Sequence, residues 1–372
     1  MVNRSNDAMD LITSQSQGIS SELASIDLRH AAINPHNWYA VARSSDLNEH
    51  PIAINLWHQP IVLYRNRKGQ VQALENRCPH RQVNLSDGHV SGDEIICAYH
   101  GWRFDSTGAC SYIPYLEAHQ KLPKSRIRSY LAQEKHGFIW VYPGNSSHSG
   151  ENSTAPLSIP EWDDLNHIAT VSLIDVKCHF SFLIENLMDM YHGHLHDDLQ
   201  AWTDPVLRTL EQGENRVDAH YDAQSYYRID KIWSVLQLFI PSMRQLHSES
   251  LDVSYVYPNW IARLGNEFKI YCLFCPISET HTRAYLIHFT SLEAFHRLHK
   301  LPKWFRAWIK NSLFGAAQKM LDGLVEQDVL MLEQEQQAYS EHPKRKGLEL
   351  NRAIISVQRL IRQQATAGGS EI

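Results

Sequence analysis

The sequence has few cysteines, little net charge and no long apolar run. Six cysteines in 372 residues do not suggest a disulfide framework, so we expect a reducing, cytoplasmic environment. The net charge of −6 opposes the binding of nucleic acid. No apolar stretch reaches the roughly 18 residues that predict a membrane-spanning helix, and the polar N-terminus lacks the apolar core of a secretory signal. We therefore expect a soluble protein without a nucleic-acid partner.

The sequence also lacks a G-x-G-x-x-G segment after a predicted strand, which is the fingerprint of dinucleotide- and flavin-binding folds. Any electrons that the chain uses must therefore come from a separate protein.

Composition divides the chain into five parts. Residues 1–34 form a polar N-terminal arm, and residues 35–145 alternate β-type runs with turn-forming segments, which predicts a small all-β domain. Residues 146–158 are rich in Gly, Ser and Asn and predict a linker. Residues 159–345 predict a second domain with strands between about 216 and 290, and residues 346–372 predict a C-terminal amphipathic helix. The expected fold class is α+β, with an antiparallel-sheet second domain flanked by helices.

Cysteine and histidine occur together in two short segments of the all-β domain, Cys78-x-His80 and Cys97-x2-His100. A Rieske [2Fe–2S] cluster needs two thiolates on one iron and two imidazoles on the other, and each segment offers one of each kind. A structural zinc site usually pairs like with like, as C-x2-4-C followed by H-x3-5-H. The pattern favours the cluster over a zinc knuckle.

A second group of metal-capable side chains lies in the second domain. A predicted helix over residues 180–196 places Glu185, Asp189, His192 and His196 near one face. Two histidines and one carboxylate with open positions form the facial triad of non-haem Fe(II) oxygenases. Asp328 is the best candidate for a carboxylate from elsewhere, because it shares an apolar helix face with leucine and valine residues. A salt-bridge or capping partner is the alternative reading of Asp328.

These motifs resemble those of a known family, the Rieske non-haem iron oxygenases. C-P-H-R followed by C-x-Y-H-G-W-x-F resembles their Rieske motif, and Asn186-x2-Asp189-x2-His192 with a second histidine resembles N-x2-D-x2-H-x4-H of their catalytic domains. The segment Q-D-x4-E around Asp328 resembles their distal carboxylate segment. The resemblance covers roughly residues 37–340, and it is to the homotrimeric members of this family.

The resemblance implies two metal centres and a role for each motif residue. Cys78 and Cys97 would bind one cluster iron, and His80 and His100 the other. His192, His196 and Asp328 would bind a mononuclear Fe(II). Asn186 and Asp189 would be catalytic, with Asp189 joining a ligand histidine to the cluster of a neighbouring subunit.

One departure from the family motif concerns the second ligand histidine. The usual gap between the two histidines is four residues, whereas His192 and His196 are separated by three. His194 is a competitor, and Asp197 occupies the usual position of the second ligand. We predict His196, because His194 would lie on the opposite side of a helix.

The implied function is that of an oxygenase component. It would use O2 and external electrons to hydroxylate or oxidatively dealkylate a small organic substrate. The implied partners are a separate NAD(P)H-dependent reductase, with or without a ferredoxin, and two further copies of the chain in a homotrimer. The alternatives are a Rieske electron-transfer protein without oxygenase activity and a zinc-stabilised binding module.

Overall fold

The computed structural model describes ten stretches of the chain: residues 26–117, 119–124, 126–144, 155–164, 166–196, 202–225, 247–265, 268–291, 302–345 and 347–369. Most of the predicted linker 146–158 and most of the predicted arm 1–34 lie outside these stretches. The five proposed parts of the chain therefore stay a prediction.

The N-terminal part is built from two antiparallel sheets. The strands are β1 (Tyr39–Arg43), β2 (Ile52–Leu56), β3 (Gln59–Arg65), β4 (Val71–Glu75), β5 (His89–Ser91), β6 (Glu94–Ile96), β7 (Arg103–Phe104), β8 (Cys110–Tyr112), β9 (Ser129–Lys135) and β10 (Phe138–Tyr142). One sheet has the order β1-β10-β9-β4-β3-β2, and the smaller one has the order β5-β6-β7-β8. A small core lies between the smaller sheet and β3–β4 and includes Cys78, Cys97, Val62 and Phe104.

The C-terminal part is one large antiparallel sheet with helices. Its strands are β11 (His167–Val176), β12 (Trp202–Gln212), β13 (Arg216–Ser225), β14 (His247–Val256), β15 (Asn259–Leu264), β16 (Phe268–Ser278) and β17 (His281–Ser291). The strand order is β11-β17-β16-β15-β14-β13-β12. The α-helices of this part are α1 (Phe180–Met188), α2 (Lys303–Glu341) and α3 (Arg352–Gly368).

Side chains alternate between the two faces of the large sheet, and each face is buried over part of its area. The outer face packs against the N-terminal part, and the joint core includes Trp38, Phe138, Trp140, Tyr271, Leu273 and Phe289. The inner face packs against α1, α2 and α3 in a second core, which includes Leu183, Met188, Tyr255, Trp260, Leu332 and Leu360. This second core also contains residues of the N-terminal part, such as Val41 and Ile139, so the N-terminal part, the sheet and the helices share it.

Helix α2 runs along the edge strand β11 and then reaches α1. Its side chains accept hydrogen bonds from successive groups of that segment: Gln318 from the Val171 N–H, Asp322 from the Ser172 hydroxyl, Glu333 from the Lys177 N–H and Gln336 from the His179 N–H. This register places the segment of α2 around residue 328 beside α1 and the residues that follow it.

The arm residues 26–34 dock on the helices. Arg29 forms a bidentate ion pair with Glu185 of α1, with N–O distances of 2.9 and 2.8 Å, and its guanidinium lies over the ring of Phe182. Leu28 and Ile33 are buried in the same core as α1. Glu185 is therefore tied to the arm and not to a metal group, which corrects its predicted place among the metal-capable side chains.

The predicted fold class is confirmed, with two differences in detail. The predicted helix over 180–196 is wrong as one continuous helix, because α1 ends at Met188 and residues Met190–His196 form a 3-10 helix. Strands β11 and β12 lie outside the strand region expected at about 216–290. No described helix is long and apolar enough to cross a membrane.

Candidate metal centres

Two loops with the same backbone pattern present the four cluster residues. In the first, the Cys78 N–H donates to the Val83 carbonyl and the Cys78 carbonyl accepts from the Gln82 N–H. In the second, Cys97 makes the equivalent bonds to Trp102 and Gly101. The fourth residue after each cysteine has a positive φ, 60° at Gln82 and 69° at Gly101. In the second loop this residue is glycine, which tolerates a positive φ, and a Cβ on Gly101 would also lie 2.9 Å from Pro114 Cγ.

The loops bring like ligands together. The Cys78 thiol contacts the Cys97 thiol, and the ring centroids of His80 and His100 lie 4.4 Å apart. Burial raises the pKa of Cys78 to about 11, so a metal must displace its proton. Nδ1 of His80 is buried and has no hydrogen-bond partner among the described residues. An unpartnered imidazole nitrogen beside a second imidazole, with two facing thiols, fits the ligand demand of a [2Fe–2S] Rieske cluster.

Aromatic side chains surround the histidine end of this site. Trp102 stacks on His80 with ring centroids 4.9 Å apart and planes 4° apart, and its Nε1 donates to the Tyr115 hydroxyl at 2.7 Å. Tyr99 contacts the His100 ring and is 62% exposed, while Tyr115 is 57% exposed. The histidine end therefore reaches the protein surface inside an aromatic rim.

Three side chains from two helical segments form the second centre. His192, His196 and Asp328 each offer one ligand atom, and these atoms lie within 4.8 Å of one another. Asp328 Oδ1 is 3.7 Å from His192 Nε2 and 3.2 Å from His196 Nε2. Two ligand atoms that each lie about 2.1 Å from one metal ion are at most about 4.2 Å apart, so both of these distances are short enough for one shared ion.

The environment of this centre is largely dry. The side chain of His196 is 3% exposed, that of Asp328 is 14% exposed and that of His192 is 23% exposed. Burial, opposed by Asp328 and reinforced by His196, lowers the pKa of His192. Burial also acts to lower the pKa of His196, but the adjacent Asp328 carboxylate outweighs it, so the net pKa is raised. Nε2 of His196 has no hydrogen-bond partner among the described residues.

The segment that carries the two histidines folds differently from the predicted helix. Asp189 caps α1, and its Oδ1 accepts the Tyr191 N–H at 3.0 Å. A side chain that binds a backbone N–H two residues on competes with helical hydrogen bonding, and this ends α1. The following 3-10 helix buries His196, whereas His194 is exposed. His196 therefore lies in the group with His192 and Asp328, and His194 does not.

Neighbouring polar side chains hold this group in place. The Asn186 amide donates to Asp328 Oδ1 at 3.2 Å. The Asn351 amide, at the N-terminus of α3, donates to Asp189 Oδ1 at 3.0 Å. The Gln327 carbonyl oxygen lies 2.8 Å from Nδ1 of His196. Sequence reasoning assigned no role to Gln327 or Asn351, although Gln327 stands in the Q-D-x4-E segment.

Family models match both parts of the chain. Residues 37–130 match the Rieske [2Fe–2S] domain, and residues 176–367 match the vanillate O-demethylase oxygenase C-terminal domain. The second match covers more than half of the sequence. The chain belongs to the Rieske non-haem iron oxygenases.

Individual relatives agree with this family. The 4beta-methylsterol monooxygenase of Methylococcus capsulatus is 30% identical over 346 residues, which covers 90% of this chain and 89% of that protein. The oxygenase component of dicamba O-demethylase from Stenotrophomonas maltophilia is 32% identical over 45% of this chain and 48% of its own length. A crystal structure of dicamba monooxygenase has the same fold, with a TM-score of 0.72 at 18% identity over 91% of this chain and 100% of that one.

A Rieske oxygenase contains a [2Fe–2S] cluster and a mononuclear iron, and both sites in this chain fit those groups. The chain is thus an oxidoreductase, the oxygenase component of a multicomponent system that hydroxylates or oxidatively dealkylates an organic substrate. The match to the oxygenase domain decides against a pure electron-transfer protein and against a zinc-stabilised binding module.

Proposed function

We propose that Cys78, His80, Cys97 and His100 bind the cluster and that His192, His196 and Asp328 bind the mononuclear iron. When bound, the cluster supplies single electrons and the mononuclear iron supplies the reactive centre for O2. The support is the contact between like ligands at the first site and the ligand-atom spacing at the second. We assign the partly exposed side of His192 to substrate entry.

Asn186 and Asp189 have separate roles in this proposal. The Asn186 amide holds Asp328 in one orientation by its hydrogen bond to Oδ1. Asp189 lies beside His192, where its charge and its backbone carbonyl both act to raise the His192 pKa. Both hydrogen bonds to the Asp189 carboxylate described above use Oδ1, so we assign Oδ2 to a cluster histidine of a neighbouring subunit.

That role for Asp189 requires a head-to-tail ring, and a homotrimer is the form implied by the family resemblance. The aromatic rim at the histidine end of the cluster loops supplies an exposed surface for such a contact. Electrons would enter from a separate NAD(P)H-dependent reductase, directly or through a ferredoxin. The molar mass in solution tests the assembly, and a monomer with full activity would contradict it.

The substrate we propose is an apolar polycyclic molecule that is oxidised at a methyl group. A single observation carries this proposal: the match to 4beta-methylsterol monooxygenase extends over 89% of that protein, whereas the match to dicamba O-demethylase covers 48% of its length. Similarity along both domains includes the catalytic sheet and helices, where the substrate must bind.

A group of half-buried apolar side chains on the inner sheet face supports this proposal. Leu264, Phe268 and Ile270 are half-buried there, on the face that packs against the helices. His288 pairs with Ile270 across β16 and β17, and its ring lies 5.2 Å from that of Phe268. Burial lowers the pKa of His288 to about 4, so this imidazole is neutral at physiological pH and suits an uncharged ligand.

Product analysis with a small substrate panel tests the proposal. The loaded protein, a surrogate reductase and O2 would be incubated with a 4-methylsterol, with dicamba or with vanillate, and Asp328→Ala would serve as the inactive control. We expect oxidation of the sterol methyl group and no formaldehyde from the two methyl ethers. Formaldehyde release from an aryl ether, with an unchanged sterol, would assign the chain to aromatic O-demethylation instead.

A further inference from the structure

The side chain of Gln327 contacts the His196 ring on the edge opposite Asp328. Gln327 Oε1 lies 2.8 Å from Nδ1, and Asp328 Oδ1 lies 3.2 Å from Nε2. Two successive residues of α2 therefore lie beside the two nitrogen atoms of one imidazole. The function proposed above uses the Asp328 contact and gives Gln327 no part.

The contact with Gln327 determines where the imidazole proton lies. A neutral imidazole carries one N–H, and a carbonyl oxygen can only accept a hydrogen bond. Because Oε1 faces Nδ1, a neutral His196 that donates to Gln327 carries its proton on Nδ1, and its Nε2 lone pair is left to bind a metal ion shared with Asp328. Solvent has little access to replace this acceptor, since His196 is 3% exposed.

The other histidine of the group differs in this respect. Nδ1 of His192 is buried and has no side-chain hydrogen-bond partner within the described ranges. His196 is therefore the imidazole whose tautomer is fixed by a side chain of its own subunit. The acceptor is also uncharged, so the two imidazoles and one carboxylate keep a single negative charge for the metal ion.

We propose that Gln327 is a positioning residue for the mononuclear iron, which fixes the tautomer and ring orientation of His196. This proposal rests on the assignment of His196 as an iron ligand. Gln327 contacts Nδ1 of His196, away from the Nε2 atom that faces Asp328, so it acts through His196. Partners of this kind raise ligand basicity and remove the cost of selecting one tautomer when the metal binds.

Fe(II) affinity measures this role without any need for turnover. The full-length protein would keep its cluster, lose the mononuclear iron to a chelator, and then be titrated with Fe(II) under anaerobic conditions. Gln327→Leu should weaken Fe(II) binding by about 10–100-fold, the usual effect of losing such a partner. Gln327→Glu keeps an acceptor at Nδ1 and should bind Fe(II) at least as tightly as the parent. The matched control is Glu326→Leu, an exposed neighbour on the same helix, which should bind like the parent.

A double-mutant cycle separates action through His196 from a general effect on the helix. In a His196→Ala background, Gln327→Leu should cause no further loss of Fe(II) affinity, and the visible spectrum of bound Co(II) should change with His196→Ala and Gln327→Leu but not with Glu326→Leu. An equal loss from Gln327→Leu in both backgrounds would overturn the proposal. Parental affinity in Gln327→Leu, with loss in Asp328→Ala, would overturn it and leave the proposed iron site standing. Parental affinity in His196→Ala and Asp328→Ala would overturn both.

Discussion

The two metal centres of this chain are built in opposite ways. All four cluster residues lie within residues 78–100, on two loops that repeat one backbone hydrogen-bond pattern. The mononuclear site joins a 3-10 helix at His192 and His196 to Asp328 of a helix much later in the chain. The first site is specified by local sequence, and the second depends on how α2 docks along β11 and α1.

We expect the two sites to respond differently to mutation. The cluster loops are closed by their own backbone and pack on a small core, so a ligand change there should stay local. The mononuclear site lies where α1, α2 and α3 meet on the inner sheet face, so changes in capping and packing can reach it from several directions.

Loss of a mononuclear ligand should have the largest effect. Asp328→Ala and His192→Ala should each reduce turnover by more than the roughly 100-fold seen for loss of outer partners, because a direct metal ligand is removed. Steady-state product formation under equal reductase supply is the measurement. His194→Ala is the matched control, since His194 is exposed and outside the group. If His194→Ala lost activity and His196→Ala kept it, the ligand assignment would pass to His194.

Loss of a cluster ligand should be as severe for turnover but confined to the first site. Cys78→Ser replaces a thiolate by a hard oxygen, so the visible absorption of the cluster should disappear or shift strongly. Fe(II) binding at His192, His196 and Asp328 should stay at the parental level, because the two sites lie in different cores. An unchanged visible spectrum in Cys78→Ser would rule out the cluster assignment.

Asp189→Asn tests the connection between the two sites. The substitution keeps the side-chain size but removes the charge beside His192. We expect both centres to remain loaded, and we expect reoxidation of the reduced cluster in a single turnover to slow by more than about tenfold. Reoxidation at the parental rate would mean that Asp189 only caps α1.

Asn351→Ala offers a smaller and more specific version of that test. It removes the hydrogen bond to Asp189 and the N-cap of α3, with an expected loss of about 1 kcal/mol in the free energy of unfolding. Cluster reoxidation should slow less than in Asp189→Asn, because the carboxylate remains. Asn351→Asp keeps the cap, and it should therefore separate the loss of helix stability from the loss of the contact with Asp189.

The last expected effect concerns stability and not turnover: a pH dependence of the free energy of unfolding on the mononuclear side of the molecule. His179 binds Ser181 and the Ala31 carbonyl in the core beside α1, and burial lowers its pKa to about 3. The unfolded chain takes up a proton near pH 6.5 while the folded chain does not, so stability is full above that pH and declines as the pH falls toward 3.

Urea midpoints at several pH values measure this decline. His179→Gln should flatten the dependence of the free energy of unfolding by up to about 1.4 kcal/mol per pH unit below pH 6. His119→Gln is the control, because His119 is 76% exposed in the N-terminal part. Equal slopes for the parent and His179→Gln would show that this histidine does not contribute.

Features that depend on neighbouring residues in the sequence could be predicted, whereas contacts between distant segments mostly could not. The two Cys–His segments predicted the cluster loops, and the apolar face of the helix around Asp328 predicted a buried carboxylate, since Val325 and Leu332 are both buried. The turn that Asp189 forms with Tyr191 was missed, because the periodicity of residues 180–196 reads as one helix. The contacts of Gln327 and Asn351 could not be predicted, because each depends on the docking of a distant helix.

The iron and acid-labile sulfide content of the purified parental chain and of Asp328→Ala distinguishes a chain with two metal centres from one with the cluster alone. We expect about three irons and two sulfides per parental chain. In Asp328→Ala we expect about two irons and two sulfides, with an unchanged cluster spectrum. An active parental chain with only two irons, or an Asp328→Ala variant that keeps the third iron, would contradict a mononuclear site at His192, His196 and Asp328.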